Sequence, residues 1–422
     1  MFVTAIDLGS SQIKGVVVDV KRDGTVVAVK TIKKKSAGIK KGEIVDVEEA
    51  VKVLFEILSE IKHFDKKCIK NIVFGISGTK SKFLISRGVI SIQRPDLEII
   101  SEDVDRVIKE SLAVNLPPGW QLIHSFPREF IIDDIEVDDA NVIGLSGRKL
   151  EANVVLIAIF SSIYKNFSKM IGLVLGKKAD IDGSLIFNPI AGERSVLSKS
   201  QKELGSALID IGFGTTSISV FQDGKIFSTK VFPIGAGNIT NDIAIGLKCS
   251  IKTAEAIKMT FGCAFSKDVS TKEKIDLSQF EEGQSKEVSK RYIAEIIEVR
   301  VREIFSLVNE ELKNLAKSQK LPAGVVISGG GSKLQGVLDL AKEELKLPAQ
   351  IGLPNLSDIE SSHAQITNEL DDPEMIVACG LALQRVDNLK KEGPFRFIQG
   401  SNYLISEPWY KKIVKLFTPS ED

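Results

Sequence analysis

"LIDIGFGTTSISVFQDGKIF" (208–227) decides the reading of the fold, because residues 5–27, "AIDLGSSQIKGVVVDVKRDGTVV", repeat its order. Each copy runs through apolar residues to an aspartate, has a glycine two positions later, turns through small and hydroxyl side chains, alternates apolar and polar, and ends at Asp-Gly. Alternation with period two predicts strands, and Asp-Gly predicts the turn that closes a hairpin. One such stretch is an ordinary hairpin. Two in matching context, roughly 200 residues apart, predict duplicated lobes facing each other across one ligand.

The turns have the chemistry of a phosphate site. Asp7 ends the first strand and is followed by Gly9, Ser10 and Ser11; Asp210 ends its counterpart and is followed by Gly212, Gly214, Thr215 and Thr216. Glycine lets the backbone come close to a phosphate, and successive N–H groups with hydroxyls form an anion-binding concavity. Asp7 and Asp210 cannot bind phosphate, but they can hold Mg²⁺ through its waters. A third glycine element, "AGVVISGGGSKLQGV" (323–337), reads as a buried strand, a Gly329-Gly330-Gly331 turn and a helix capped near Ser332. A flat or phosphorylated ligand rests well on such a turn, although a close helix–strand crossing needs the same glycines.

Composition narrows the classes. At 422 residues the chain exceeds one ordinary core, and 43% hydrophobic residues can fill two lobes. Fifty-six basic residues balance fifty-six acidic ones, which removes the field that a general nucleic-acid binder needs. Cys68, Cys249, Cys263 and Cys379 show no CxxC pairing and His63, His124 and His363 stand alone, so neither a disulfide framework nor a zinc site is expected, in keeping with a reducing cytosol. No stretch reaches the length of a spanning helix, and the N-terminus lacks a signal-peptide pattern.

Duplicated Asp-x-Gly hairpins with a late Gly-Gly-Gly turn resemble the actin-like ATPase superfamily, and Lys14 lies where actin-type hairpins place a phosphate-contacting lysine. Within it the chain resembles the FtsA family of bacterial division proteins, on "KKGEIVDVEEAV" (40–51), "GLSGRKLEANVVLIA" (144–158), "IGAGNITNDIAIGL" (234–247), "AEAIKMTFGCA" (254–264), "AEIIEVRVREIFSLVNEEL" (294–312) and "GVVISGGGSKLQGV" (324–337). The resemblance implies an α/β, actin-like (ribonuclease-H-like) duplicated two-lobe fold with an inserted α+β subdomain and a C-terminal amphipathic helix. It divides the chain into a first lobe (1–82), the insertion (83–158), a return to the first lobe (159–190), second-lobe core (191–232), outer second lobe (233–304), core and return (305–386), a linker (387–407) and the helix (408–417). It implies ATP and Mg²⁺ as ligands. Gly235, Gly237 and Asn238 would line the cleft, Glu255 and Lys258 reach ribose and base, and Gly329, Gly330, Gly331 and Ser332 cradle the adenosine. By spacing alone Glu255 and Lys258 share a helix face as a surface ion pair does.

In the insertion, Ser101 with acids at 102 and 103 predicts a helix N-cap; in relatives this subdomain contacts neighbouring subunits and other division proteins. At "FNPIAGERSV" (187–196) Asn188 stands where ATPase relatives carry the Glu or Gln that positions water. An amide can orient water but cannot take its proton, which implies weak or absent hydrolysis. Phe213 replaces the usual Gly or Asp of the second loop, and its ring either crowds or shields the phosphates.

Near its C-terminus the chain carries "PWYKKIVKLF" (408–417) after a polar, Gly- and Pro-broken stretch. On a helix Trp409, Tyr410, Ile413, Val414, Leu416 and Phe417 cover one arc and Lys411, Lys412 and Lys415 the other. Such a helix either docks on its own domain or lies in a membrane interface, which the purely lysine polar face and terminal aromatics favour. Six apolar side chains at roughly 1 kcal/mol each and three lysines at about 1 kcal/mol each on anionic lipid are offset by several kcal/mol of helix ordering, so one copy binds weakly and a polymer strongly. The resemblance implies a peripheral protein on the cytoplasmic face of the inner membrane that self-associates and binds the C-terminal tail of the tubulin-like FtsZ near the second-lobe helix carrying Arg291, Arg300 and Arg302. The basic run at 30–41 reads as a solvated loop. The alternatives are a PilM-like pilus scaffold, sharing fold and insertion, and a small-molecule kinase, for which no motif nominates a carboxylate base. A chaperone ATPase would need a further domain after residue 386.

Overall fold

β-Branched residues crowd the N-terminal segment and suit a pleated, buried surface. In the computed structural model, which describes residues 1–114, 116–137, 142–176, 184–280, 287–315 and 321–390, this segment forms an antiparallel meander of β1 (Phe2–Leu8), β2 (Gln12–Val20) and β3 (Val26–Lys35). A small hairpin, β4 (Ile39–Lys40) and β5 (Glu43–Ile44), turns at Lys41 and Gly42, with φ of 50° and 71°. Two consecutive left-handed residues are what a two-residue hairpin turn demands. Helix α1 (Val47–Phe64) starts where Asp46 accepts from the amides of Glu48 and Glu49, and β6 (Ile72–Ile76) returns parallel to β1.

A second compact unit, Lys82–Ile159, follows. It is built from β7 (Ser81–Ser91), α2 (Ser101–Ser111), β8 (Trp120–Ile132), β9 (Ile135–Val137) and β10 (Lys149–Phe160), in sheet order β7-β10-β8-β9. Val107 and Ile108 of α2 share a core with Phe130, Leu150, Val154 and Leu156. Ser101 is not the N-cap of α2, as its sequence predicts; Ile100 is. The buried Asp103 carboxylate accepts from the Ile100 amide at 3.0 Å and is held by Arg94, so a side chain inside the first turn reaches back to do what a capping serine would.

Back in the first unit, α3 (Ser161–Leu175), β11 (Leu185–Phe187), α4 (Asn188–Val196) and α5 (Lys199–Leu204) lead to a second meander, β12 (Ser206–Ile211), β13 (Thr216–Gln222) and β14 (Lys225–Phe232). Helices α6 (Ala236–Leu247) and α7 (Ile251–Phe261), strands β15 (Lys274–Asp276) and β16 (Glu287–Ser289), and the long α8 (Lys290–Leu315) form the outer layer. β17 (Val325–Ser328), α9 (Val337–Leu345) and β18 (Ala349–Ile351) complete the second sheet. The chain closes with β19 (Glu360–Ser361), α10 (Ala364–Leu370) and α11 (Ile376–Lys390).

The two sheets repeat one design. Their orders are β11-β6-β1-β2-β3-β19 and β14-β13-β12-β17-β18; each joins an antiparallel meander to two parallel strands beside its first strand, and the first sheet adds β19, parallel to β3. Duplication read from two hairpins thus extends to five strands in each sheet.

Two further expectations are corrected. Residues 30–35 of the basic run belong to β3, not a loop, and Lys30 and Lys34 pair with Glu60 while Lys33 pairs with Asp372. Residues 387–390, assigned to the linker, continue α11 because Asp387 accepts from Arg194 at 2.7 Å and Lys390 donates to the Gly24 carbonyl at 3.0 Å. The remaining linker (391–407) and the proposed membrane residues Trp409 to Phe417 lie outside the described residues.

Candidate functional site

The ends of β1, β6, β12 and β17 and the start of α4 border one cavity of about 260 Å³. Of the residues expected there, Asp7, Gly9, Ser10, Ser11, Lys14, Asp210, Gly212, Gly214, Thr215, Glu255, Lys258, Gly329, Gly330 and Gly331 line it. Asn188 and Phe213, singled out as departures from an ATPase, line it too.

The hairpin register explains the centre of the site. Asp7 on β1 stands directly opposite Lys14 on β2, and the ammonium lies 3.3 Å from the carboxylate and donates to the Glu374 carbonyl at 2.9 Å. Burial alone would lower the Lys14 pKa, yet the negative charges of Asp7, Glu374 and Asp210 outweigh it and hold the ammonium above its ordinary value. Asp210 on β12 faces Ser217 instead of a lysine. Burial pushes its carboxyl up to about 6, with Lys14 pulling down and Asp7 and Glu374 adding to the rise. The cavity floor is therefore one buried cation among three carboxylates.

Backbone supplies the walls. Gly329 has φ +79°, and a Cβ there would fall 2.2 Å from Asp210 Oδ1, so the turn after β17 closes on the second aspartate only with glycine. A Cβ on Gly214 would meet Ser10 Oγ at 2.8 Å and the Lys41 amide nitrogen at 2.9 Å. The two hairpin turns thus approach one another directly.

On the second lobe Lys258 is 5% exposed, which rules out the surface pair that spacing alone allows. It pairs with Glu255 at 2.8 Å and donates to Thr240 Oγ1 at 2.9 Å and the Ala236 carbonyl at 3.2 Å, and Thr240 also donates to Glu255. Phe213 lies with its ring 5.5 Å beneath the Lys258 ammonium and against Gly237, whose Cβ would come within 2.8 Å of the ring.

Five expected residues do not line the cavity. Gly235, Gly237 and Asn238 shape the start of α6: the Asn238 side chain accepts from the Gly235 amide at 3.1 Å, and the Gly237 amide donates to the Phe213 carbonyl at 2.7 Å. Thr216 and Ser332 are buried. Ser332 caps no helix; it sits in a 3-10 turn (Gly330–Lys333), donating to the Gly329 carbonyl at 2.7 Å, and α9 begins only at Val337. The glycines at 329 and 336, both at positive φ, bend the chain twice before that helix.

Sequence reading missed Gly42, Ser77, Lys333 and Glu374, all on the wall. For Ser77 there was a signal: Ile76-Ser77-Gly78 at the end of β6 repeats Ile327-Ser328-Gly329 at the end of β17. Lys333 ion-pairs with Glu374 at 3.1 Å and Asp372 at 2.8 Å, contacts across about forty residues that no local pattern marks.

Chemically, the glycine turns offer close backbone approach to an anion, and Lys14 and Lys258 offer charge. Among the described residues no group of three or more His, Cys, Asp or Glu side chains forms a direct metal cage; two facing carboxylates suit a cation that keeps its waters.

A family model described as Cell division protein FtsA matches residues 207–380, and one described as SHS2 domain inserted in FTSA matches 78–158. Cell division protein FtsA of Pseudomonas aeruginosa is 31% identical over 406 residues, spanning 96% of this chain and 94% of that protein. The Bacillus subtilis protein of the same name is 30% identical over 92% of this chain and 84% of its own length. Among solved structures, a PilM–PilN type IV pilus biogenesis complex superposes with a TM-score of 0.63 at 15% identity, covering 91% of this chain and 98% of that one. MreB5 of Spiroplasma citri bound to ADP gives 0.52 at 13%, covering 93% and 99%. At such identities these two bear on the fold alone, which is the actin-like duplicated α/β fold with an SHS2 insertion.

Proposed function

Because the chain belongs to the FtsA family and is an actin-like cell-division protein, we propose that it binds ATP with Mg²⁺ in the cavity between its two meanders, polymerises on the cytoplasmic face of the inner membrane, and tethers FtsZ filaments there. The observation that carries the nucleotide part is the meeting of both hairpin turns and the Gly329 turn on one cavity. Gly9, Ser10, Ser11, Gly212, Gly214 and Thr215 would take the phosphates with Lys14, Asp7 and Asp210 would hold Mg²⁺ through its waters, Glu255 and Lys258 would meet the ribose and base, and Gly329 to Gly331 the adenosine. Bound Mg²⁺ would neutralise phosphate charge. No carboxylate stands at position 188, so hydrolysis is weak or absent; purified protein turning over many ATP molecules per second contradicts this.

Membrane tethering rests on the terminal segment. Among the described residues no helix is long and apolar enough to cross a membrane, and the amphipathic run from Trp409 to Phe417 supports a peripheral attachment. Cosedimentation with anionic vesicles in ATP tests it: intact protein pellets and a chain stopped at Glu407 stays in solution. Equal pelleting of both refutes the tether. FtsZ binding on the second lobe would compete with existing pairs, since Arg300 engages Asp242 at 2.6 Å and Arg302 engages Glu298 at 2.7 Å.

A further inference from the structure

Asn188 stands where ATPase relatives carry the residue that positions water, but its side chain is otherwise engaged. Its Nδ2 donates to Asp7 Oδ1 at 3.2 Å, while Lys14 holds the other oxygen, Oδ2, at 3.3 Å. The opposite amide orientation would set two acceptors face to face, so the donor must point at Asp7. The Asn188 Oδ1 atom is buried without a hydrogen-bond partner, and it is pressed towards β6, where a Cβ on Gly75 would lie 2.1 Å from it. The strand register fixes this closeness: Gly75 pairs with Ile186 of β11, two residues before Asn188 opens α4. A buried carbonyl left unpaired calls for an explanation, and the engagement of the same amide with Asp7 supplies one.

We propose that Asn188 is a positioning residue for the Asp7 carboxylate, fixing the orientation in which it takes a hydrated divalent cation, and that position 75 is kept free of a side chain so that the amide fits. The proposal rests on the nucleotide reading above and concerns the cation half of that site. It gives position 188, where an amide cannot take a proton from water, control of cation binding. Two substitutions at different places then have one consequence: Asn188→Ala deletes the donor, and Gly75→Ala pushes the amide off Asp7.

The test is ATP binding by calorimetry on the full chain, titrated with Mg²⁺ and repeated in excess EDTA, with thermal melts to confirm folding. Loss of a supporting group of this kind costs about tenfold or more in metal affinity. Asn188→Ala is expected to raise the Mg²⁺ concentration for half-maximal binding about tenfold, and the EDTA titration separates that loss of cation from any loss of nucleotide. Gly75→Ala moves it the same way, and moves it less in the Asn188→Ala background, since the displaced amide is already gone. If Gly75→Ala does not fold, Asn188→Ala alone decides. Wild-type protein that takes no ATP at any Mg²⁺ concentration sinks the nucleotide reading and this proposal with it. Mg²⁺-dependent ATP binding whose midpoint is the same in wild type and Asn188→Ala sinks this proposal alone.

Discussion

Lys14 brings one positive charge to three carboxylates. It is the buried cation among Asp7, Asp210 and Glu374, and removing one member of a buried charge group leaves the others uncompensated. Lys14→Ala is expected to lower unfolding free energy by about 3 kcal/mol, read by urea denaturation, and Lys14→Ala with Asp7→Asn to recover part of it. His124 on β8 gives a pH signal in the second unit. Burial pushes its pKa down to about 3, so between there and the ordinary value near 6.5 the unfolded chain binds a proton that the folded one does not. Stability therefore falls as pH drops through that window, by about 1.4 kcal/mol per pH unit. Denaturation at pH 6, 5 and 4 should show that slope in the second unit, and His124→Gln should flatten it.

Elements owe their placement to contacts that their own sequences do not contain. Helix α4 carries Glu193, fully buried and ion-paired with Lys202 of α5; burial raises the carboxyl pKa while Lys202 pulls it down. Lys202→Ala should cost roughly 3 kcal/mol, and adding Glu193→Gln should restore much of it; equal stability of wild type and Lys202→Ala in chemical denaturation would show that the pair contributes nothing. The turn after β17 is the most demanding in backbone terms. Gly329→Ala needs a left-handed alanine whose Cβ collides with Asp210, and it should lower the melting temperature by several degrees and abolish ATP binding. Gly144 also has positive φ but nothing within 4 Å of a Cβ, so Gly144→Ala is the control, costing only about 1 kcal/mol.

At the scale of the molecule, two units have separate cores, and every cavity residue belongs to the first. A ligand stabilises what it binds, by about 2.7 kcal/mol at a hundred times its Kd. Saturating Mg-ATP should therefore raise the melting transition of the first unit while an isolated 82–159 chain melts at the same temperature with or without it. A shift in the isolated chain would place a nucleotide contact where no cavity residue lies.

The sequence by itself determined the architecture and the heart of the site, because both are written locally: period-two alternation makes the meanders, and Asp-x-Gly turns occur twice at the same place in them. Ser77 was missed, because the Ile-Ser-Gly repeat at the ends of β6 and β17 is too short to be read without the sheets beside it. Only the tertiary structure decided which glycines face the cavity and which shape α6, that Lys333 and Glu374 join its wall, that residues 30–35 are a strand in which Lys30, Lys33 and Lys34 are paired, and that Asn188 points its amide at Asp7. Those outcomes depend on side chains brought together from as far apart as Lys14 and Glu374, and a contact between distant segments leaves no periodicity in either one.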